Sequence, residues 1–468
     1  MGSPNIPGAE DSLPPALPES TPHRKHHGKK PPNPQNPTTF PLRAAVHTYL
    51  TTHLPPSHLP SLSLTPESLT STLPKRYTIY PPLLLLPAHT FTSTPDWETF
   101  YLSLTETQRQ DLYASIVSHP AFGKAGVTHL AMNAPIRAVD GRGLENRMRS
   151  PTGLVPLYGD FGRAVGGEES GEGEGEGGDP SEEELREAFW VRTTQNGGIV
   201  QIWAPLYTMF SRGNVVEKAR ILGAEEGRVF EGLDERSLGE KLGDVSVVDM
   251  YAGIGYFVFS YLRRGVGRVW GWEINGWSVE GLRRGCRENG WGVRVLRVGG
   301  DGEVEVEGGI RGLVEGLSGE ERVVVFHGDN RFVGDVMLRV KREMEERREW
   351  KKVRHVNLGL LPTSRPAWDG AVRVLDQDTQ GWLHVHENVD VKEIEDKKEQ
   401  IVKELGGLVF HHRGESSTSL NARAECRHVE RVKSYAPGVM HCVFDVYIPP
   451  TSTMLVDSGK SEEKNKDL

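Results

Sequence analysis

Three acids close three apolar runs in the middle of the chain. Asp249 ends VSVVD, Glu273 ends RVWGWE, and Asp329 follows ERVVVFHG. Asp249 also opens the stretch Asp249-Met-Tyr-Ala-Gly253-Ile-Gly255-Tyr-Phe257, between a strand pattern and a helix pattern. Ligands of doubly wound sheets sit at the carboxyl ends of such strands. Glycines there let the backbone approach a ligand more closely than any Cβ would allow. Glu273 is placed to accept from ribose hydroxyls, and Asp329, beside Asn330, to meet an adenine amino group. Three strand-end acids at consecutive crossings suit an adenosine-containing ligand. A dinucleotide suits less well, because Val258 stands where the last glycine of GxGxxG belongs. A glycine turn with capping acids is the alternative reading.

These residues need a parallel sheet to position them. The pattern from Val215 onward supplies one: a helix over VVEKARIL, the strand VSVVDMYA, a helix through FVFSYLRR and the strand RVWGWEI. A helix over WSVEGLRRGCREN, the strand ERVVVFHGD and a charged helix from Val336 to about Lys352 follow. Strands near VRHVNLGLL and GWLHVHENV come next, and HVERVKSYAPGVMHCVFDVYI reads as a closing hairpin. Repeated β-then-α units imply an α/β doubly wound fold with helices on both faces. Gly299–Gly319 is Gly- and acid-rich and reads as an inserted loop.

Ahead of this unit the composition changes several times. Residues 1–40, with the run HRKHHGKKPP, read as a disordered tail. Residues 41–165 read as a smaller α+β domain, with one helical stretch near Trp97 to Val117. Residues 166–188 read as an acidic, Gly-rich loop. Residues 189–450 form the main domain, opening with a β-hairpin that turns at Asn196-Gly197. Residues 451–468 read as a second disordered tail.

The 468 residues are 37% hydrophobic and 25% charged, ordinary for a soluble globular protein. The formal net charge of -9 argues only weakly against a nucleic-acid partner. Nine acids and no base lie between Glu168 and Glu184, so the rest of the chain is about neutral. Three separated cysteines, Cys286, Cys426 and Cys442, fit a reducing compartment and argue against a disulfide framework or a zinc ribbon. The apolar run at Leu83–Leu86 is too short to span a bilayer, and the N-terminus lacks an apolar signal core. A cytoplasmic monomer away from membranes is the expectation.

Other candidates carry bland readings. His384 and His386 face one side of a strand, but no third and fourth ligand has zinc spacing, so a packed pair and no metal is expected. Arg283, Arg284 and Arg287 on one helix could meet phosphates. Arg339, Lys341, Arg342, Arg347 and Arg348 interleave with Glu343, Glu345 and Glu346, as a salt-bridged face does. Trp270, Trp272, Trp277 and Trp291 read as core.

Several motifs in order carry a resemblance: DMYAGIGYF, WEIN (272–275), HGDNR (327–331), LGLLPTS (358–364) and GWLHVHENV (381–389). FSRGNVVEK (210–218), HLAMNAPI and RSPTGLVPLYGDFG (149–162) add to it. Together they resemble the wybutosine-synthesising aminocarboxypropyltransferases, relatives of the tRNA guanine-N1 methyltransferases. The likeness covers about 76–165 and 189–448. It implies a Rossmann-like methyltransferase domain behind the smaller domain. It also implies a reaction: the 3-amino-3-carboxypropyl group of S-adenosylmethionine moves to 4-demethylwyosine beside the anticodon of phenylalanine tRNA, releasing 5′-methylthioadenosine. By the resemblance Ser211, Lys218, Glu273, Asp329 and Asn330 contact the cofactor, and Asp249, Gly253 and Gly255 shape its pocket. No catalytic residue or general base is identified.

A sulfonium carries three activated carbons, and positioning decides which one the nucleophile meets. Gly359-Leu360-Leu361-Pro362-Thr363-Ser364 stands where the related methyltransferases are expected to carry Asn-Leu-Pro. Lys218 and Ser211 are expected at the pocket mouth, one supplying charge and the other a hydrogen bond. A tRNA guanine-N1 methyltransferase and a non-catalytic RNA-binding scaffold remain the alternatives.

Overall fold

Val245–Asp249 is buried at every position and Glu321–His327 through its apolar centre Val323–Phe326, as strands covered on both faces are. The computed structural model describes residues 40–133, 154–162, 179–210, 214–223, 230–413 and 424–451. Residues 1–39 and 452–468 of the two tails, the acidic run 166–178, and Ser211 and Arg212 lie outside the described residues.

The first sheet is built from β1 (Thr78–Tyr80), β2 (Leu83–Leu86), β3 (His129–Met132) and β4 (Val155–Tyr158), in that order. Helices Pro41–Thr52, Pro66–Thr72, Pro95–Ser103 and Glu106–Val117 share its core, which includes Leu42, Val46, Leu69, Trp97, Leu112 and Ile116. The single helix expected from Trp97 to Val117 is two helices. Thr105 and Gln108 form a reciprocal capping box that starts the second one, so the chain turns at Leu104.

A two-stranded hairpin follows, β5 (Val191–Gln195) and β6 (Ile199–Trp203), turning at Asn196 and Gly197 as expected, both with positive φ. The hairpin joins the two parts of the molecule. Tyr80, Leu83 and Ala131 of the first sheet pack with Val191, Trp203 and Ile254, and the Tyr80 ring meets Trp203 edge-on at 5.4 Å.

The second sheet has nine strands: β7 (Val245–Asp249), β8 (Arg268–Glu273), β9 (Gly292–Val298), β10 (Val304–Glu305), β11 (Glu321–His327), β12 (Lys352–Leu358), β13 (Gly381–Asp390), β14 (Glu425–Ala436) and β15 (Val439–Ile448). Their order is β10-β9-β11-β8-β7-β12-β13-β15-β14. The six strands from β9 to β13 in that order are parallel; β10 and β15 run against them, and β14, antiparallel to β15, runs in their direction. Successive strands go outward from β7 toward β8 and later return on its other side at β12. The order therefore reverses at β7, the switch point where such sheets bind ligands. The fold is doubly wound α/β, preceded by a smaller α+β part.

Both faces are covered. Val248, Phe326, Val356 and Leu383 pack against helices Val333–Glu346, Trp368–Val374 and Ile394–Arg413. Val247, Val269, Val323 and Val325 pack against Val258–Arg264 and Gly276–Glu288.

Two further expectations are corrected. Gly299–Gly319 is not a loop: it contains β10 and the helix Gly309–Gly316. Ile310, Leu313 and Val314 recur at helical spacing and are buried, each contributing about 1.5–3 kcal/mol, which outweighs the glycines' flexibility. The acidic loop ends before residue 188. Ser181 and Glu184 form a capping box, and Glu182–Glu187 is helical.

Candidate cofactor site

The switch point is a closed set of hydrogen bonds. Asp249, at the end of β7, is fully buried, and its Oδ1 accepts from the Tyr251 N–H at 3.2 Å and from Asn357 Nδ2 at 3.0 Å. Its Oδ2 has no partner among the described residues. Burial pushes the carboxyl up to about 7; the Glu273 charge adds to the rise, and the Asn357 and Tyr251 hydrogen bonds oppose it.

Glu273 ends β8 one strand away. Its Oε2 accepts from the Gly253 N–H at 2.8 Å and its Oε1 from the Asn275 N–H at 2.8 Å. Burial raises its carboxyl, against the lowering effect of these backbone donors. Each oxygen keeps further lone-pair capacity for a ligand hydroxyl.

The two glycines serve the turn in different ways. Gly253 has φ +53°, and a Cβ there would stand 2.7 Å from the Tyr256 ring. Gly255 has φ +88°, and its Cβ would meet the Phe259 ring at 2.5 Å. What forbids a side chain at Gly255 is the packing of the next helix as well as the turn itself.

Asp329 caps the short turn Asn330–Phe332 by accepting from the Arg331 N–H at 3.0 Å. Asn330 Nδ2 donates to the Met250 carbonyl at 2.7 Å, tying the end of β11 to the end of β7. Asp249, Gly253, Glu273, Asp329 and Asn330 thus meet at the ends of three neighbouring strands.

Lys218 departs from expectation. It lies on helix Val215–Leu222 but is 2% exposed rather than open at a mouth. Its Nζ donates to Gln201 Oε1 at 3.1 Å and Gln195 Oε1 at 3.3 Å, and stands 5.3 Å from the centre of the Tyr256 ring. Burial pulls the ammonium down to about 7. No carboxylate partners it among the described residues. Tyr256 connects it to Gly253 and hence to the other site residues. Ser211 lies outside the described residues.

The helix carrying Lys218 is anchored by charges of its own. Arg220 forks onto Glu217, with Nη2–Oε1 at 2.7 Å, and onto Asp445 of β15, with Nη1–Oδ2 at 2.6 Å. Burial opposes ionisation of both Asp445 and Arg220; their attraction holds the carboxyl low and the guanidinium charged. Asp445 also meets His384 Nδ1 at 2.7 Å, and His384 Nε2 meets His355 Nδ1 at 3.0 Å.

Sequence reasoning missed Asn357, Gln195, Gln201 and Tyr256. Asn357 had a signal: with His355 it puts polar side chains at alternate positions near the carboxyl end of its strand. The histidine pair is packed, and no group of three metal-ligating side chains occurs among the described residues. Arg283 and Arg284 both pair with Glu280. Trp270 and Trp272 are core, and Trp277 stacks on Tyr207 at 3.7 Å.

The donor set fits an adenosine with a charged amino-acid tail. Glu273 retains acceptor capacity beside a glycine turn, and Lys218 is buried without an anion among the described residues.

No family model matches the chain. The tRNA wybutosine-synthesizing protein 2 of Schizosaccharomyces pombe is 35% identical over 375 residues, 80% of this chain and 72% of that protein. The protein of the same name from Saccharomyces cerevisiae is 31% identical over 405 residues, covering 80% and 74%. Among solved structures, P. horikoshii TYW2 in complex with MeSAdo is 17% identical with a TM-score of 0.48, covering 87% of this chain and 100% of that one. On the identity and coverage of the two yeast proteins, the chain belongs to the tRNA wybutosine-synthesizing protein 2 family.

Proposed function

We infer that this chain is an S-adenosylmethionine-dependent tRNA aminocarboxypropyltransferase of wybutosine synthesis. The observation that carries the reading is the 35% identity to the fission-yeast protein over 80% of this chain. The substrate is 4-demethylwyosine beside the anticodon of phenylalanine tRNA. The enzyme works as a cytoplasmic monomer, with 41–165 as an N-terminal domain and 189–450 as the transferase domain. Among the described residues no helix is long and apolar enough to cross a membrane.

Glu273 accepts from the ribose hydroxyls while its other lone pairs hold Gly253 and Asn275 in place. Asp329 and Asn330 border the adenine. Asp249, Gly253 and Gly255 shape the turn beneath it. Lys218, with Ser211 nearby in sequence, holds the carboxylate of the amino-acid tail; an anion there replaces the weak amide partners that burial leaves it. The cofactor supplies a carbon activated by the neighbouring sulfonium. The chain's own contribution is to fix that tail so that its side-chain carbon, and not the methyl, faces the acceptor base.

Incubation with S-adenosylmethionine and undermodified tRNA tests the reading. The expected small-molecule product is 5′-methylthioadenosine; S-adenosylhomocysteine as the main product overturns it in favour of a methyltransferase.

A further inference from the structure

The face of the sheet beneath helix Val215–Leu222 carries a polar row that the cofactor site leaves unused. Asn388 of β13 stands opposite His441 of β15, and His441 stands opposite Lys433 of β14. Side chains opposite one another in a sheet share a face, so these three form one line across three strands. His386, two residues before Asn388, joins it through a 3.0 Å contact between its Nδ1 and His441 Nε2.

The row is short of partners. His386 is 1% exposed and His441 0% exposed. Yet His386 Nε2, His441 Nδ1 and both polar atoms of the Asn388 amide are buried without a hydrogen bond among the described residues. Half-buried Lys433 has no ion pair or hydrogen bond among the described residues. Buried polar groups are nearly always paired, and each orphan costs about 1–3 kcal/mol. Four orphaned atoms on three adjacent side chains, beside an unpaired cation, mark a place built for something else. Burial keeps both imidazoles neutral, so they offer both a donor and an acceptor.

The position identifies that ligand. His384 is level with Asn357, and Asn357 with Asp249. Asn388, four residues further along its strand, therefore stands roughly 13 Å beyond Asp249 on the ligand-binding side. There its N–H donates to the Pro362 carbonyl at 2.9 Å, within the Gly359–Ser364 segment. The ring of Phe257, which ends the glycine turn, lies 5.2 Å from that of His386. The row thus borders both the cofactor turn and the loop after β12, where an acceptor must meet the cofactor.

We propose that Asn388, His441 and Lys433, with His386, form the receptor for the acceptor nucleotide of the RNA. The Asn388 amide, with one donor and one acceptor side, pairs with the edge of the base, as amides do with purines. Lys433 meets the phosphate. The neutral imidazoles, buried behind it, form the polar floor of the receptor. This proposal rests on the tRNA reading above.

The test uses the full chain and undermodified tRNA. Lys433→Gln and Asn388→Ala are compared with the parent for tRNA affinity by fluorescence anisotropy, tRNA kinetics at saturating S-adenosylmethionine, and cofactor affinity by calorimetry. Lys433→Gln weakens tRNA binding about ten-fold and makes its logarithmic salt dependence shallower by about 1. Asn388→Ala lowers kcat/KM for tRNA about 10–100-fold. Both keep the parent's cofactor affinity. tRNA affinity and kinetics within two-fold of the parent in both variants overturn the proposal, as does a parallel loss of cofactor affinity. If Asn388→Ala does not fold, Lys433→Gln at its half-buried position decides alone. A parent that binds tRNA but releases no 5′-methylthioadenosine refutes the proposed reaction, while the anisotropy series still judges the row. A parent that binds no tRNA overturns both.

Discussion

Asn357 Nδ2 donates a 3.0 Å hydrogen bond to Asp249 Oδ1, bridging β12 and β7 directly beneath the glycine turn. Asn357 is 1% exposed, so nothing but the protein can replace the bond. Asn357→Ala leaves the Asp249 carboxylate with only the Tyr251 N–H. The expected cost is about 1–3 kcal/mol of stability, together with weaker cofactor binding because the turn loses its support. Chemical denaturation and calorimetry on the variant check both; an unchanged midpoint contradicts the role assigned to Asn357.

Glu273 holds two backbone N–H groups 22 residues apart in sequence, those of Gly253 and Asn275. Its removal orphans both and takes a charged acceptor from the ribose site. A hydrogen bond to a charged group is worth about 1.5–3 kcal/mol, so Glu273→Ala is expected to weaken S-adenosylmethionine about 10–150-fold. Glu273→Gln retains an acceptor on one side only and falls between. Unchanged calorimetric affinity in the alanine variant removes Glu273 from the site.

Arg220 is buried with two carboxylates, and its partner Asp445 arrives from a strand 225 residues later. Breaking a buried pair from one side leaves an uncompensated charge, costing about 3–5 kcal/mol. Asp445→Ala is therefore expected to lower stability by that amount. Arg220→Met, which strands Glu217 and Asp445 together, is expected to do at least as much harm. Denaturant midpoints that barely move in both variants contradict this.

Much of this site was legible because its signals are local. An acid at the end of an apolar run, followed by glycines and a helix pattern, places Asp249, Gly253 and Gly255 without any tertiary knowledge. The partners of Lys218 were not legible: Gln195 and Gln201 reach it from the two strands of a hairpin, and nothing in their spacing points to a helix 17 residues further on. The same holds for Asp445, whose ion pair with Arg220 joins the two ends of the transferase region. The helix at Gly309–Gly316 was hidden differently. Its glycines and acids mimic a loop, while the apolar spacing of Ile310, Leu313 and Val314 was present to be read. The break at Leu104 was also written locally, in Thr105 and Gln108, three residues apart.

Lys218 offers a test by proton counting. In the free protein burial holds its ammonium down to about 7, against about 10.4 for an exposed lysine. Between those values the unfolded chain binds more protons than the folded one, so this residue's penalty on stability is full below pH 7 and fades as pH rises toward 10. Asp249, raised to about 7, has the opposite sign: the folded chain holds the extra proton from about pH 4 to 7, and stability falls as pH rises through that window. Measurements above pH 7 therefore isolate the lysine. A cofactor carboxylate beside Lys218 favours the charged form and raises its pKa again. At pH 8, binding must then draw a proton from the buffer, and affinity must fall as pH rises further. The ligand's own amine titrates near 7.7–8.0, so the decisive comparison is between the parent and Lys218→Met. In the variant, the part of the proton uptake that belongs to the lysine disappears, cofactor affinity drops about ten-fold or more, and stability without cofactor at pH 6 stays level or rises, because a buried cation without an anion has been removed. Calorimetry in buffers of different ionisation enthalpy reads the uptake directly. Equal uptake in parent and variant would place the carboxylate elsewhere and leave Lys218 as a packing residue of its helix.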